Sequence, residues 1–102
     1  MTKVRIVLAD DHAVLRAGLK MLLNAQDDML VVGEATDGPE ALAAVREHAP
    51  DLLLLDITMP KTESPRGSDG LQVLRQVKRA HPHVRVLVLT MHEEEGYLRR
   101  AL

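Results

Sequence analysis

The stretch DLLLLDITMP, residues 51–60, gives the clearest indication of how this chain folds. Its four consecutive leucines leave no polar face, which is typical of a short parallel strand covered by helices on both sides. The strand ends in the carboxylate of Asp56, and in open α/β sheets ligands bind just beyond the carboxyl ends of the strands. Pro60 disfavours helical geometry at the residue before it and keeps this turn open. We therefore predict that Asp56 lies at a functional site.

Length and composition restrict the class of protein. The chain has 102 residues, enough for one small domain with a single core, and 46% of them are hydrophobic, as in an ordinary soluble globular protein. A net charge of -2 offers no basic stripe to nucleic acid. Cysteine is absent, which excludes disulfides and thiolate metal sites. With neither a signal peptide nor a membrane-crossing segment in view, the sequence predicts a cytoplasmic protein without a membrane partner.

Strand-like and helix-like segments alternate along the chain. The sequence predicts strands at residues 4–9, 30–35, 52–55 and 84–91, and helices at about 12–26, 38–49, 71–80 and 93–101. The polar segment 61–69 is expected to be an exposed loop. This alternation indicates a parallel sheet with right-handed crossovers, and we predict a flavodoxin-like doubly wound α/β fold of strand order 2-1-3-4.

The helical spacing also predicts which residues are buried and how the helices begin. In the first helix, which has Asp11 near its N-cap, the apolar stripe comprises Val14, Leu15, Gly18, Leu19, Leu22 and Leu23. In the second, which begins with a capped turn that contains Pro39, it comprises Ala41, Leu42, Val45 and Ala49. Gly33 and Glu34 favour an edge position for the second strand.

Acidic residues follow the first strand as well as the third. If these strands are neighbours, Asp10, Asp11 and Asp56 share one crevice, and their like charges repel unless a cation neutralises them. Mg²⁺ prefers oxygen ligands and commonly binds one or two carboxylates together with a phosphate. The carboxylate of Asp56 can then attack phosphorus, while the hydroxyl of Thr90, at the end of the fourth strand, can donate to a phosphoryl oxygen.

Each of these residues also has a structural interpretation when it is considered alone. An acid pair before a helix is commonly a solvated N-cap, and Thr90 fits an ordinary strand end. The five histidines lack metal-ligand spacing, and only His12 stands beside the acid pair. The occurrence of acids at equivalent strand ends, in the right order, favours the functional interpretation.

The chain resembles the receiver domain of bacterial two-component response regulators. The resemblance is carried by VLADDHAVLRAGL (7–19), GEATDGPEAL (33–42), PDLLLLDITMP (50–60), DGLQVLRQVK (69–78) and VLVLTMHEEEGYLRRAL (86–102). The first and last of these are similar to the NarL/FixJ (LuxR-type) subfamily, whose members usually carry a C-terminal helix-turn-helix DNA-binding domain. We therefore expect residues 1–102 to be a receiver domain, without the DNA-binding domain through which the full-length protein would regulate transcription.

The resemblance implies roles for individual residues. Asp56 matches the phosphoacceptor, which receives its phosphoryl group from a sensor histidine kinase. The expected Mg²⁺ ligands are Asp10, Asp11, Asp56 and the backbone carbonyl of Thr58. Thr90 and Tyr97 match the switch region, through which such domains signal and dimerise, so a homodimer is expected. The chain would be a phosphoacceptor rather than an enzyme, with at most slow self-dephosphorylation.

Two departures from the family pattern stand out. Residues 61–69 contain an insertion of about six residues close to the active rim. The chain also has no counterpart of the family's fifth strand, phosphoryl-contacting lysine and fifth helix, so no catalytic lysine is expected within it. One face of the sheet would then lack a helix beside an open edge strand, which predicts either self-association or low stability.

Two other functions remain open at this stage. A Mg²⁺-dependent phosphohydrolase of the haloacid dehalogenase type also forms an aspartyl phosphate, but it has a second acid two residues after the nucleophile, where this chain has Thr58. A binding-only pseudo-receiver is the other alternative, because the lysine is absent.

Overall fold

Strands and helices alternate throughout the part of the chain that the computed structural model describes, which comprises residues 2–57, 59 and 70–89. The elements are β1 (Val4–Ala9), α1 (Ala13–Asn24), β2 (Met29–Ala35), α2 (Gly38–His48), β3 (Leu52–Asp56), α3 (Gly70–Ala80) and β4 (Arg85–Leu89). Each lies within a few residues of its predicted position. The predicted loop 61–69, the fourth helix and the last residues of the fourth strand lie outside the described residues.

The four strands form a parallel sheet of order β2-β1-β3-β4, which confirms the predicted topology. The second strand is at an edge, as the sequence indicated. In the centre, β1 pairs with β3 in a register that places Ala9 opposite Leu55. The next residues, Asp10 and Asp56, therefore leave the sheet side by side at the carboxyl ends of the two central strands.

The core lies on both faces of the sheet. Because side chains alternate along a strand, Val7 and Ala9 of β1 pack on the face covered by α2 and α3, whereas Ile6 and Leu8 pack on the face covered by α1. The leucines of β3 divide in the same way. This two-sided coverage explains why residues 52–55 are continuously apolar.

Helix α1 buries a narrower stripe than its spacing predicted. Leu19 and Leu23 pack against the sheet, but no residue of α1 is fully buried. Val14 is 89% exposed and Leu22 is 67% exposed. Gly18 is exposed as well. The prediction that these three residues belong to the buried stripe was wrong, because the side chains of α1 that pack against the sheet form a single row spaced by four residues.

Helix α2 is capped at both ends. Its N-cap residue Asp37 accepts a hydrogen bond from the backbone N–H of Glu40 at 2.8 Å, and the Glu40 carboxylate accepts from the backbone and the hydroxyl of Thr36, each at 2.7 Å. These bonds, with that from the hydroxyl foremost, lower the pKa of Glu40. At the other end Ala49 adopts a left-handed conformation with φ 44°. Ala49 is therefore the C-cap of α2, and the prediction that it belongs to the buried stripe was wrong.

The start of α3 approaches the end of β3 closely. A Cβ atom built on Gly70 would collide with the backbone of Ile57, the residue that follows Asp56. Gly18, in the middle of α1, has no such neighbour within 4 Å. The absence of a side chain at Gly70 is thus required by packing, whereas at Gly18 it is not.

We predict opposite effects for Gly70→Ala and Gly18→Ala. The first should lower the free energy of unfolding by about 1–3 kcal/mol, because the added methyl group meets backbone that cannot rotate away. The second should raise it by about 0.5–1 kcal/mol, since alanine restricts the unfolded chain and favours the helix. Urea denaturation followed by far-UV circular dichroism measures both. Wild-type stability of Gly70→Ala would show that the α3 to β3 contact is less tight than described.

Candidate functional site

Two aspartates are buried where β1 and β3 end. Asp10 is 4% exposed and Asp56 is 1% exposed, and within the described residues they are the buried acids of the core. They follow paired residues of adjacent parallel strands, so both carboxylates emerge at the same rim of the sheet. A buried carboxylate is costly unless a positive charge or hydrogen-bond donors compensate it. This rim is therefore the first place to look for chemistry.

The predicted cluster of carboxylates forms. One ligand atom from each of Asp10, Asp11, His12 and Asp56 lies within 4.8 Å of the others. Asp11 is the most exposed of the three acids. It is the second residue of the turn between β1 and α1. Carboxylate oxygens at such separations suit a hard divalent cation such as Mg²⁺.

His12 is at the centre of this cluster. Its Nδ1 atom lies 3.0 Å from Asp10 Oδ1, 3.1 Å from Asp11 Oδ1 and 3.6 Å from Asp56 Oδ2. The hydrogen bond to Asp10 and the charge of Asp11 raise the pKa of His12, so the acids stabilise a positive charge at this position. The sequence analysis singled out His12 among the histidines but assigned it no role. Its direct adjacency to the acid pair was the available signal.

The turn between β1 and α1 is organised around Asp10. The backbone N–H of Asp10 donates to the carbonyl of Ala35 at 2.9 Å, and its side-chain Oδ1 accepts from the backbone N–H of His12 at 2.7 Å. The carbonyl of Asp10 accepts from Nη1 of Arg16 at 2.6 Å. Sequence reasoning did not find Arg16, because nothing in the spacing indicates that a helix side chain turns back to a strand end.

The segment after Asp56 is fixed by its neighbours. The backbone N–H of Ile57 donates to the carbonyl of Leu89 at 3.3 Å, so the carboxyl ends of β3 and β4 adjoin. Met59 is buried in the core between the sheet, α2 and α3. The other predicted site residues, Thr58, Thr90 and Tyr97, lie outside the described residues. Of the helices described, none combines the length and the apolar character needed to span a membrane.

Comparison with known proteins agrees with this geometry. The model of the response regulator receiver domain family matches residues 6–102. The oxygen regulatory protein NreC of Staphylococcus haemolyticus is 46% identical over 95 residues, which cover 93% of this chain and 42% of that protein. The chain thus spans less than half the length of this relative.

Solved structures of regulators share the fold. The signal receiver domain of the response regulator named NarL in Mycobacterium tuberculosis is 38% identical, with a TM-score of 0.80, and the match covers 99% of this chain and 77% of that one. RcsB of Salmonella enterica serovar Typhimurium is 25% identical, with a TM-score of 0.79, and the match covers 97% of this chain and 47% of that one. Taken with the order of the sheet and the acid cluster at its rim, these matches show that the chain belongs to the response regulator receiver domain family.

Proposed function

We propose that residues 1–102 form the phosphorylation-controlled switch of a two-component system and that Asp56 accepts the phosphoryl group. The observation that carries this proposal is the position of Asp56, which ends a central strand, is 1% exposed and lies within the cluster formed with Asp10, Asp11 and His12. A carboxylate buried at that rim is oriented by the sheet. It can act as a nucleophile without first losing a shell of bulk water.

Mg²⁺ is the cofactor that fits these residues. Asp10, Asp11 and Asp56 supply oxygen ligands, and the contacts of His12 indicate that the cluster favours a positive charge. By resemblance, the backbone carbonyl of Thr58 completes the set of protein ligands. When bound, Mg²⁺ supplies compensation for the negative charge of the phosphoryl oxygens. The protein's part is to arrange the carboxylates in advance.

The group transfer follows from the nature of the donor. A carboxylate oxygen of Asp56 attacks the phosphorus of a phosphohistidine on the sensor kinase, so an O–P bond forms as the N–P bond breaks. The electron pair of the broken bond stays on the histidine nitrogen, which takes up a proton. The product on this chain is an aspartyl phosphate. The chain then acts as the acceptor in the reaction rather than as an enzyme, with slow self-dephosphorylation as its only turnover.

The proposed output is the control of transcription. The RcsB structure is of the protein bound to a promoter in the presence of the phosphomimetic BeF3⁻. We propose that the full-length cytoplasmic protein likewise regulates transcription, as a homodimer with a C-terminal DNA-binding domain. Thr90 would sense the phosphoryl group through its hydroxyl, and Tyr97 would belong to the surface that responds. The residue at 58 favours this switch over a phosphohydrolase, because threonine cannot serve as the second acid.

Asp56→Asn should abolish phosphorylation. The amide lacks the nucleophilic carboxylate, although it keeps nearly the same shape. Intact-mass analysis after incubation with Mg²⁺ and acetyl phosphate should show one added phosphoryl group on the wild-type protein and none on the variant. Equal labelling of the two proteins would move the acceptor to another residue.

Asp11→Ala should weaken Mg²⁺ binding about tenfold or more while the fold is retained. The variant loses a ligand oxygen, but it also loses one of several repelling charges, so the metal-free protein need not become less stable. Asp27→Ala is the matched control, because it removes an exposed acid outside the cluster. Isothermal titration calorimetry with MgCl₂ gives both dissociation constants. If the two variants bind Mg²⁺ equally well, Asp11 is not a ligand.

Thr90→Ala should still be phosphorylated on Asp56 but should signal poorly. The hydroxyl is proposed to respond to the phosphoryl group and not to receive it. Phosphorylation is measured by intact mass, and the output by transcription from a reporter in cells that carry the full-length gene. A variant with wild-type transcription would exclude Thr90 from the switch.

A further inference from the structure

Both backbone polar groups of Asp10 are connected to the edge strand β2, the N–H directly and the carbonyl through the side chain of Arg16. The N–H of Asp10 donates to the carbonyl of Ala35 at 2.9 Å. The carbonyl of Asp10 accepts from Nη1 of Arg16 at 2.6 Å, and Nε of the same guanidinium donates to Oε1 of Glu34 at 3.1 Å. Glu34 and Ala35 are consecutive residues of β2. Arg16 therefore connects Asp10 to β2 by a second route that is independent of the sheet ladder.

The geometry of this connection suits arginine. A guanidinium is planar and rigid, so donors on two of its nitrogens can bind two acceptors in fixed relative positions. The Arg16 side chain is 17% exposed, which limits screening of its charge by water. Lys20 binds the other oxygen of Glu34, Oε2, at 3.1 Å. The hydrogen bond to Lys20 and that to Arg16 lower the pKa of Glu34, so Glu34 remains ionised and fixed between the two cations.

The turn between β1 and α1 requires a contact that fixes its orientation. It must place the carboxylates of Asp10 and Asp11 near that of Asp56 although the three like charges repel. The N-cap residue of α1, His12, makes no side-chain hydrogen bond to the helix, so the helix start is not fixed by ordinary capping. The bond from Arg16 to Asp10 instead joins the second turn of α1 to the residue that leaves β1.

We propose that Arg16 is a positioning residue for the acid cluster. Through the carbonyl of Asp10 it sets the orientation of the β1 to α1 turn, and Glu34 sets the orientation of the guanidinium. The expected effect of Arg16 on Mg²⁺ binding rests on the function proposed above. Its expected effect on the orientation of the turn rests on the hydrogen bonds alone.

Lys20 provides a matched control on the same helix. It lies one turn after Arg16 and binds the same carboxylate, but its contact does not extend to Asp10. If the cluster of Arg16, Glu34 and Lys20 served only to attach α1 to β2, replacing either cation should have similar consequences. If Arg16 positions Asp10, only its replacement should disturb the turn.

The test compares Arg16→Met and Lys20→Met in the intact protein. Hydrogen exchange of the Asp10 and His12 amides is measured by NMR without metal, and global stability by urea denaturation. In Arg16→Met we expect both amides to exchange about tenfold faster than global unfolding explains, since a charge-assisted hydrogen bond is lost. The dissociation constant for Mg²⁺, measured by calorimetry, should also rise about tenfold, as is usual for groups that orient metal ligands. Lys20→Met should match the wild type in both.

Unchanged amide exchange in Arg16→Met would overturn the inference, and so would equal effects of the two replacements. If Arg16→Met does not fold, Arg16→Lys replaces it, because lysine keeps the charge but cannot bridge both acceptors in the same way; the same changes, smaller in size, are then expected. A different result would show that the proposed function is wrong. A wild-type protein that neither binds Mg²⁺ nor gains a phosphoryl group would refute that function, while the exchange measurement would still decide the role of Arg16.

Discussion

The structure depends on two carboxylates that are buried at the ends of adjacent strands. Asp10 and Asp56 lie where the sheet offers them little solvent and where each repels the other. Such an arrangement persists only if donors and positive charge surround it. For Asp10, His12 contributes its N–H and imidazole, while Arg16 binds the carbonyl of the same residue. The arrangement of the acids therefore depends on the residues that contact them.

The order of the sheet brings the acids together. Asp10 and Asp56 are far apart in sequence, and they adjoin because β1 pairs with β3 while β2 lies on the other side of β1. As the other neighbour of β1, β2 presents Glu34 and Ala35 on one side of Asp10, while β3 presents Asp56 on the other side.

An aliphatic core supports this arrangement. The chain has no phenylalanine or tryptophan, and leucine, valine, isoleucine and alanine fill both faces of the sheet. The two faces are not covered alike. Helices α2 and α3 bury their face thoroughly, whereas α1 lies alone on the other face among the described elements, and Leu87 of β4 remains half exposed there.

The order of the elements and the residue types at the rim could be predicted from local patterns in the sequence. A run such as residues 52–55 can be buried on both sides only between two layers, and an acid such as Asp56 that ends it lies at the ligand-binding edge, so the fold class and the position of this acid followed from local pattern. Its role as phosphoacceptor remains a proposal. Similarity to the receiver family added roles for Thr58, Thr90 and Tyr97, which lie outside the described residues and remain predictions.

Local patterns did not predict which apolar residues are covered or which polar groups meet, because both depend on how the elements pack together. Val14 and Leu22 fit the helical period as well as Leu19 and Leu23 do, but periodicity does not tell how much of a helix surface the sheet can reach. Ala49 fits the stripe of α2 and instead ends that helix in a left-handed conformation. The contacts of His12 with three carboxylates and of Arg16 with a carbonyl and Glu34 depend on distances between elements, and spacing along one element contains no information about such distances.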